Sequence, residues 1–194
     1  QNWIHFYVNR SSLPTQCIDW GKNKKNVNFV SVLVNPNDAI LEKIKDLNFD
    51  YYQLYDVDPE RTKEIKSKYK IKIITAITVS SKDDVIKYKE YSDISDVILF
   101  DSKGYHKSES FDHNLLTEVP DEMDKMIAGN IQIDDIPSFK NKNFMIDLSG
   151  ALEDENGKKD ISKIDKFNKL SMLLISFFPF SSSNAPLRSI IKFL

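Results

Sequence analysis

The chain has 194 residues, with 27 Lys and Arg against 29 Asp and Glu, a net charge of −2 and 41% hydrophobic residues. That is the size of one domain, too apolar for a disordered chain, and balanced enough to give no general electrostatic pull towards nucleic acid or an anionic membrane. One cysteine, Cys17, excludes an internal disulfide and a cysteine-rich zinc site and fits a reducing compartment.

The start, QNWIHFYVNR, lacks a basic stretch followed by an apolar run, so no signal peptide is expected. It also lacks an initiator Met, so the chain is expected to be processed or the remainder of something longer. Short β-branched or aromatic runs then recur: WIHFYV (3–8), VNFVSVLV (27–34), FDYYQLY (49–55), IKIITAITV (71–79), DVILFD (96–101), DKMIAG (124–129) and NFMIDLS (143–149). Several are apolar at consecutive positions, as strands buried on both faces of a parallel sheet must be. Helical periodicity fills many of the gaps. PNDAILEKIKDLN (36–48) places Ile40, Leu41, Ile44 and Leu47 on one face, with Asn35 or Asn37 as N-cap. DPERTKEIKSKYK (58–70) offers Asp58 as cap and Pro59 in the first turn, where a missing N–H costs nothing. SKDDVIKYKEY (81–91) opens with Ser81 and acids, and its Lys82, Lys87 and Lys89 read as a solvated face. ISKIDKFNKL (161–170) follows Asp160 with a narrow stripe of Ile161, Ile164 and Phe167. The apolar LSMLLISFFPF (170–180) has 11 residues and contains Pro179; about 20 are needed to span a bilayer, so no transmembrane helix is expected. Two readings of this tail stand side by side: a frayed or foreign extension packed loosely on the surface, or residues 172–178 as a strand filling a gap between the first and last visible strands, parallel to both. After a Ser-rich turn, NAPLRSIIKFL reads as a helix capped by Asn184, with Leu187, Ile190, Ile191 and Leu194 on one face.

Seven strand-like runs alternating with helical segments give an α/β protein with a parallel sheet. Polar or small residues end most of the runs: Asn35, Gln53, Asp101, Gly129 and the pair Ser149–Gly150. A barrel draws its site from many strand ends, whereas an open sheet uses one switch point, and neither GxGxxG nor GxxxxGK[ST] is present. A TIM-type (β/α)8 barrel is therefore expected over residues 1–170, with an apolar C-terminal extension over 171–194.

Asp101 closes VILFDSKG. A carboxylate after four apolar residues is partly desolvated, which suits general acid work, although a strand-end Asp also caps turns. MIAGN (126–130) and MIDLSG (145–150) end in small residues whose exposed N–H groups form an anion site, and the last two strands of a barrel are where phosphate usually sits. His5, His106 and His113 have no metal-ligand spacing, so a packed His5 and a solvated His106 are expected. Nothing basic is patterned around Cys17, so an inert thiol is expected.

Taken together, these segments resemble the phosphoribosylanthranilate isomerase family of tryptophan biosynthesis. VSVLVN (30–35), YYQLYD (51–56), IITAITV (73–79), VILFDSKG (97–104) with SFDHNLL (110–116), and MIAGNI (126–131) look like the family's third to seventh strands. MIDLSGALEDENGKKDISKIDKF (145–167) resembles the eighth, with Asp147, Ser149, Glu153, Gly157, Lys159 and Asp160 at the family's spacing. The resemblance covers about residues 3–170. It implies an Amadori rearrangement of an N-linked aminoaldose 5-phosphate, with no metal or organic cofactor. It gives Asp101 as the acid, the loops of Gly129, Asn130, Ser149 and Gly150 as the phosphate cradle, and Gln53 and Asp147 as further substrate contacts. The implied partner is a small sugar phosphate, in a cytoplasmic monomer or homodimer, without nucleic acid or membrane.

The sequence departs from the family in defined places. The first strand, ending in the cysteine that serves as base, has no counterpart, and the chain begins at what resembles the second strand, so no appreciable turnover by these 194 residues is expected. RSSLP, with Pro14, stands where the family has an arginine for the anthranilate carboxylate, and Arg10 is out of register. Tyr55 stands where a His is usual, Gly150–Ala151 where Ser-Gly is usual, and Asn130 replaces a glycine. The sixth loop is shortened to KGYHKSES. A barrel-derived phosphate-binding protein without catalysis is the alternative reading. A related lyase or synthase is disfavoured because no strand-end Lys or Glu pair is present.

Overall fold

The computed structural model describes residues 2–7, 27–102, 110–139, 143–176 and 189–192. Eight parallel strands close into a barrel in sequence order. They are β1 (Asn2–Tyr7), β2 (Val27–Val34), β3 (Tyr51–Tyr55), β4 (Lys72–Val79), β5 (Val97–Ser102), β6 (Lys125–Ile127), β7 (Met145–Leu148) and β8 (Ser189–Lys192). The helices outside are α1 (Asp38–Ile44), α2 (Pro59–Tyr69), α3 (Lys82–Ile86), α4 (Tyr88–Tyr91) and α5 (Ile161–Ser176). After β5 and β6 the crossovers carry 3-10 turns, His113–Glu118 and Ile133–Phe139. The second contains Pro137, which disfavours a regular helix there.

Period-2 alternation divides strands β2 to β7 between two apolar layers. Val30, Tyr51, Ile74, Val97, Leu99, Met126, Ala128 and Met145 pack together inside the barrel. Leu33, Tyr52, Leu54 and Ile73 face out, against Leu41 and Ile44 of α1 and Ile65 of α2. Further round, Ile98, Phe100, Ile127, Ile146 and Leu148 lie under Val85, Tyr88, Ile136 and Phe167. Each large side chain buried in this way contributes about 1.5–3 kcal/mol. Burial also pushes the Tyr52 hydroxyl up to about 12. Among the described residues, no helix is long and apolar enough to cross a membrane.

The caps follow the sequence. Asn37 accepts from Ile40 N–H at 3.0 Å, and Asp58 accepts from Arg61 N–H at 2.8 Å ahead of Pro59. Polar pins at the N-terminal end of the strands hold the register. Asp50 accepts from Phe29 N–H at 2.7 Å while its own N–H donates to the Phe29 carbonyl, and Asp96 does the same with Ile73. Lys125, 2% exposed, donates to the Val119 and Pro120 carbonyls.

Two C-terminal expectations are corrected. Residues 172–176 are not a strand: they continue α5, because an apolar run that follows a helix without a breaker extends it. The helix expected over 184–194 is replaced at Ser189–Lys192 by β8. β8 lies between β7 and β1, parallel to both, with Ile190 level with Asp147 and with Trp3. The closing strand is thus formed by residues 189–192 and not by 172–178; β-branched Ile190 and Ile191 suit a strand that completes the ring. Residues 177–188, including Pro179 and Asn184, lie outside the described residues.

β5 and β6 approach closely at their C-terminal ends. A Cβ on Gly129 would sit 2.2 Å from Ser102 Oγ, and the residue has φ +95°, so glycine is required there twice over. Gly129→Ala is expected to lower stability by about 2 kcal/mol in denaturant unfolding, more than an ordinary surface change; Gly150→Ala, where a Cβ meets open space, is the control.

Asp84 organises the start of α3. Its carboxylate accepts from Ser80 and Ser81 N–H groups at 3.1 Å and from Lys87 Nζ at 2.8 Å. Lys87 foremost, then the serines, hold the carboxyl below its ordinary value. A depressed folded pKa contributes stability above the unfolded value, lost as pH falls through the folded one. Asp84→Ala is therefore expected to lose about 1 kcal/mol at neutral pH. The gap between mutant and wild type should close as acid titration passes below about pH 4.

Candidate active site

The site lies at the C-terminal mouth, built from alternate residues on the inner face. Register fixes the levels: Val32 with Gln53, Gln53 with Ile74, and Thr78 with Asp101. Gln53 on β3 is fully buried, and Asp101 on β5 is half-buried. Tyr55 Oη donates to Asp101 Oδ2 at 2.8 Å and accepts from Gln53 Nε2 at 3.1 Å. Gln53 Oε1, although buried, has no hydrogen-bond partner among the described residues. An unmet acceptor costs about 1–3 kcal/mol, which a donor group on a bound molecule would recover.

Asp147, 4% exposed, lies on β7. The loops after β6 and β7 are neighbours, since Ile127 pairs with Ile146. In the first, Gly129 is followed by Asn130 at φ +50°, a left-handed position that asparagine tolerates in place of glycine. Asn130 Oδ1 accepts from Gln132 Nε2 at 2.9 Å. In the second, Leu152 and Glu153 N–H groups bond the Ser149 and Gly150 carbonyls, which closes a 3-10 turn over Gly150–Leu152. The N–H groups that begin such a turn have no partner within it. Lys159 Nζ holds this loop, donating to the Ser149 carbonyl at 3.1 Å and to Glu153 Oε1 at 2.5 Å.

The structure thus brings Gln53 and Asp101 together through Tyr55. It places Gly129 and Asn130 beside Ser149 and Gly150 on adjacent loops, with Asp147 on the strand that leads into the second. Sequence reading missed the part of Tyr55, whose only signal was its two-residue spacing from Gln53. Elsewhere the polar candidates have structural partners. The His113 ring packs between Phe111 and Phe139 at 4.9 and 5.2 Å. Lys82 pairs with Glu118, and Lys87 with Asp84. Arg10, Pro14, Cys17 and His106 lie outside the described residues, as does the side chain of His5. Among the described residues, no group of three His, Cys, Asp or Glu could hold a metal ion.

Comparisons with known proteins agree with this architecture. Residues 4–169 match the family model described as N-(5'phosphoribosyl)anthranilate (PRA) isomerase. The N-(5'-phosphoribosyl)anthranilate isomerase of Rhizobium rhizogenes is 35% identical over 149 residues, covering 71% of this chain and 67% of that protein. The Agrobacterium fabrum enzyme is 32% identical over the same length, with 71% and 68% covered. The phosphoribosyl anthranilate isomerase of Thermotoga maritima superposes with a TM-score of 0.71 at 24% identity, over 86% of this chain and 85% of that one. That of Thermus thermophilus gives 0.70 at 18% identity, with 88% of each covered. These last two likenesses show the barrel fold. With the family model matching most of its length and curated relatives above 30% identity, the chain belongs to the N-(5'-phosphoribosyl)anthranilate isomerase family.

Proposed function

We propose that the mouth of this barrel carries out the family's isomerisation, converting N-(5-phosphoribosyl)anthranilate into 1-(2-carboxyphenylamino)-1-deoxyribulose 5-phosphate. The observation that carries the reading is Asp101, held at the mouth by Tyr55 in a chain of this family. Asp101 gives its proton to the ribose ring oxygen. The C1–O bond breaks with its electron pair going to that oxygen, and the nitrogen lone pair forms the C=N⁺ bond. A base then removes the C2 proton, and the resulting enolamine tautomerises to the ketose with a proton arriving at C1. The steps are proton transfers and need no metal or organic cofactor.

The phosphate is assigned to the loops of Gly129–Asn130 and Ser149–Gly150, and Gln53 and Asp147 to the rest of the substrate. The unmet acceptor on Gln53 supports a polar ligand at the mouth. We assign the protein to the cytoplasm, as a monomer or homodimer, and residues 171–194 to an extension whose β8 takes the place of the family's first strand. β8 carries no cysteine, and this favours a second reading, a phosphate-binding barrel without catalysis.

Anthranilate fluorescence separates the two. The 194-residue chain is expected to show no appreciable turnover; turnover at the family's usual rate that vanishes in Cys17→Ser would assign the base to Cys17. In a protein supplied with the family's first strand and its cysteine, Asp101→Asn is expected to lower kcat by about 10²–10⁴-fold with little change in KM. Activity close to wild type would remove Asp101 from the mechanism.

Soaking crystals with ribose 5-phosphate is expected to place the anion within hydrogen-bond range of the N–H groups in the two loops. Density at the N-terminal end of the strands would overturn that assignment.

A further inference from the structure

We propose that Tyr55 is a positioning residue for the Asp101 carboxyl, its hydroxyl aligned by Gln53 and fixing the acid at the barrel mouth; the proposal rests on Asp101 as the general acid. The hydroxyl bridges two strand spacings, about 10 Å, from β3 to β5. The intervening β4 presents Ala76 to the interior beside Tyr55, and so small a side chain leaves the phenol room to cross.

The direction of the chain of bonds follows from proton counting. A tyrosine hydroxyl has one proton, and here it is directed to the Asp101 carboxyl, which can accept at Oδ2 whether or not its other oxygen is protonated. With that proton directed to Asp101 Oδ2 at 2.8 Å, the hydroxyl can only accept from Gln53. Gln53 must then turn its NH₂ towards Tyr55, as observed at 3.1 Å. The opposite amide orientation would bond Oε1 to Tyr55 only by taking the hydroxyl proton away from Asp101. The observed orientation instead leaves Oε1 buried without a partner among the described residues, which weights the arrangement towards the carboxyl. Both links depend on the phenolic oxygen and neither on the ring. Fixing one carboxyl oxygen sets the rotation of the whole group, and so the direction from which its proton is delivered.

The same donation stabilises the carboxylate that remains once the proton has been handed over. The other described groups on the inner face are distributed as follows. Thr78 and Ala128 flank Asp101 on β4 and after β6 and do not titrate. β7 contributes Asp147. On β3 and β4, Tyr51 and Lys72 lie at the far end, with Lys72 Nζ 5.3 Å from the Tyr51 ring centroid. On β2 the inner face is Val30 and Val32.

Tyr55→Phe keeps the ring and its packing while removing the hydroxyl, so it tests the bond without emptying the core. The first readout needs no turnover. In the 194-residue chain labelled with ¹³C at the tyrosine ζ and aspartate γ carbons, the Tyr55 signal is expected to show a step in the acidic range that is absent in Asp101→Asn. The Asp101 midpoint is expected to rise by about one unit in Tyr55→Phe, because a hydrogen bond to the charged form is lost. A flat Tyr55 signal, or an unmoved Asp101 midpoint, overturns the proposal. The second readout is turnover. Tyr55→Phe is expected to lower kcat about 10-fold with KM within twofold, and Tyr55→His, which restores an N–H donor, to recover part of it. Unchanged kcat in Tyr55→Phe overturns the proposal even where wild type is active. Failure of wild type to bind or convert the sugar phosphate overturns the functional reading instead, while the titration still decides the part of Tyr55.

Discussion

Parallel register is the constraint on which everything else in this barrel depends. Side chains alternate with period 2, so a slip of one residue between neighbouring strands would turn an inner face outwards. Asp50 and Asp96 oppose such slips at the N-terminal end, each exchanging a side-chain and a backbone hydrogen bond with the strand before it. Lys125 ties the start of β6 to the segment leading into it. With those ends fixed, Gln53, Tyr55 and Asp101 reach the mouth on the same face as the apolar interior. Stability is thereby concentrated at one end of the strands and chemistry at the other, as in barrels generally.

The family's most specific segment has a physical explanation here. Glu153 and Lys159 face each other across a short antiparallel bridge, with a tight turn at Gly157, φ +74°, between them. Lys159 returns to the Ser149 carbonyl, and Lys163 Nζ holds the Glu153 carbonyl. The N–H groups that begin the Gly150–Leu152 turn give the loop no support of their own. The lysines supply that support from the carbonyl side.

Strands β2 to β7 were legible in the sequence because burial on both faces demands runs such as VNFVSVLV and VILFD that few other structures tolerate. The caps at Asn37 and Asp58 were legible for the same kind of local reason. The C-terminal region was not. LSMLLISFF has the composition of a strand, yet its first seven residues complete a helix already under way from Ile161. SIIK sits in a stretch whose apolar spacing fits a helix, and four residues are too few for period 2 to outvote it. The strand-end positions of Asp101, Gln53, Gly129 and Ser149 could be read from the order of apolar runs. The Tyr55–Asp101 bond could not, because it joins residues 46 apart through a register that only the folded sheet defines.

The origin of β8 also bears on how the chain reaches its native state. Trp3 is hydrogen-bonded in register with Ile190, so the ring of strands joins the first described segment to the last. Seven strands can be laid down one after another, each against its predecessor in sequence. The eighth junction is of another kind, since it closes the loop from Trp3 to Ile190 and draws on contacts of very high sequence separation. While the chain is being synthesised, the sheet therefore remains an open arc with two adhesive borders until residues 189–192 emerge. That interval is when the protein is most exposed to pairing with a neighbouring chain, and when assistance from a chaperone would count most.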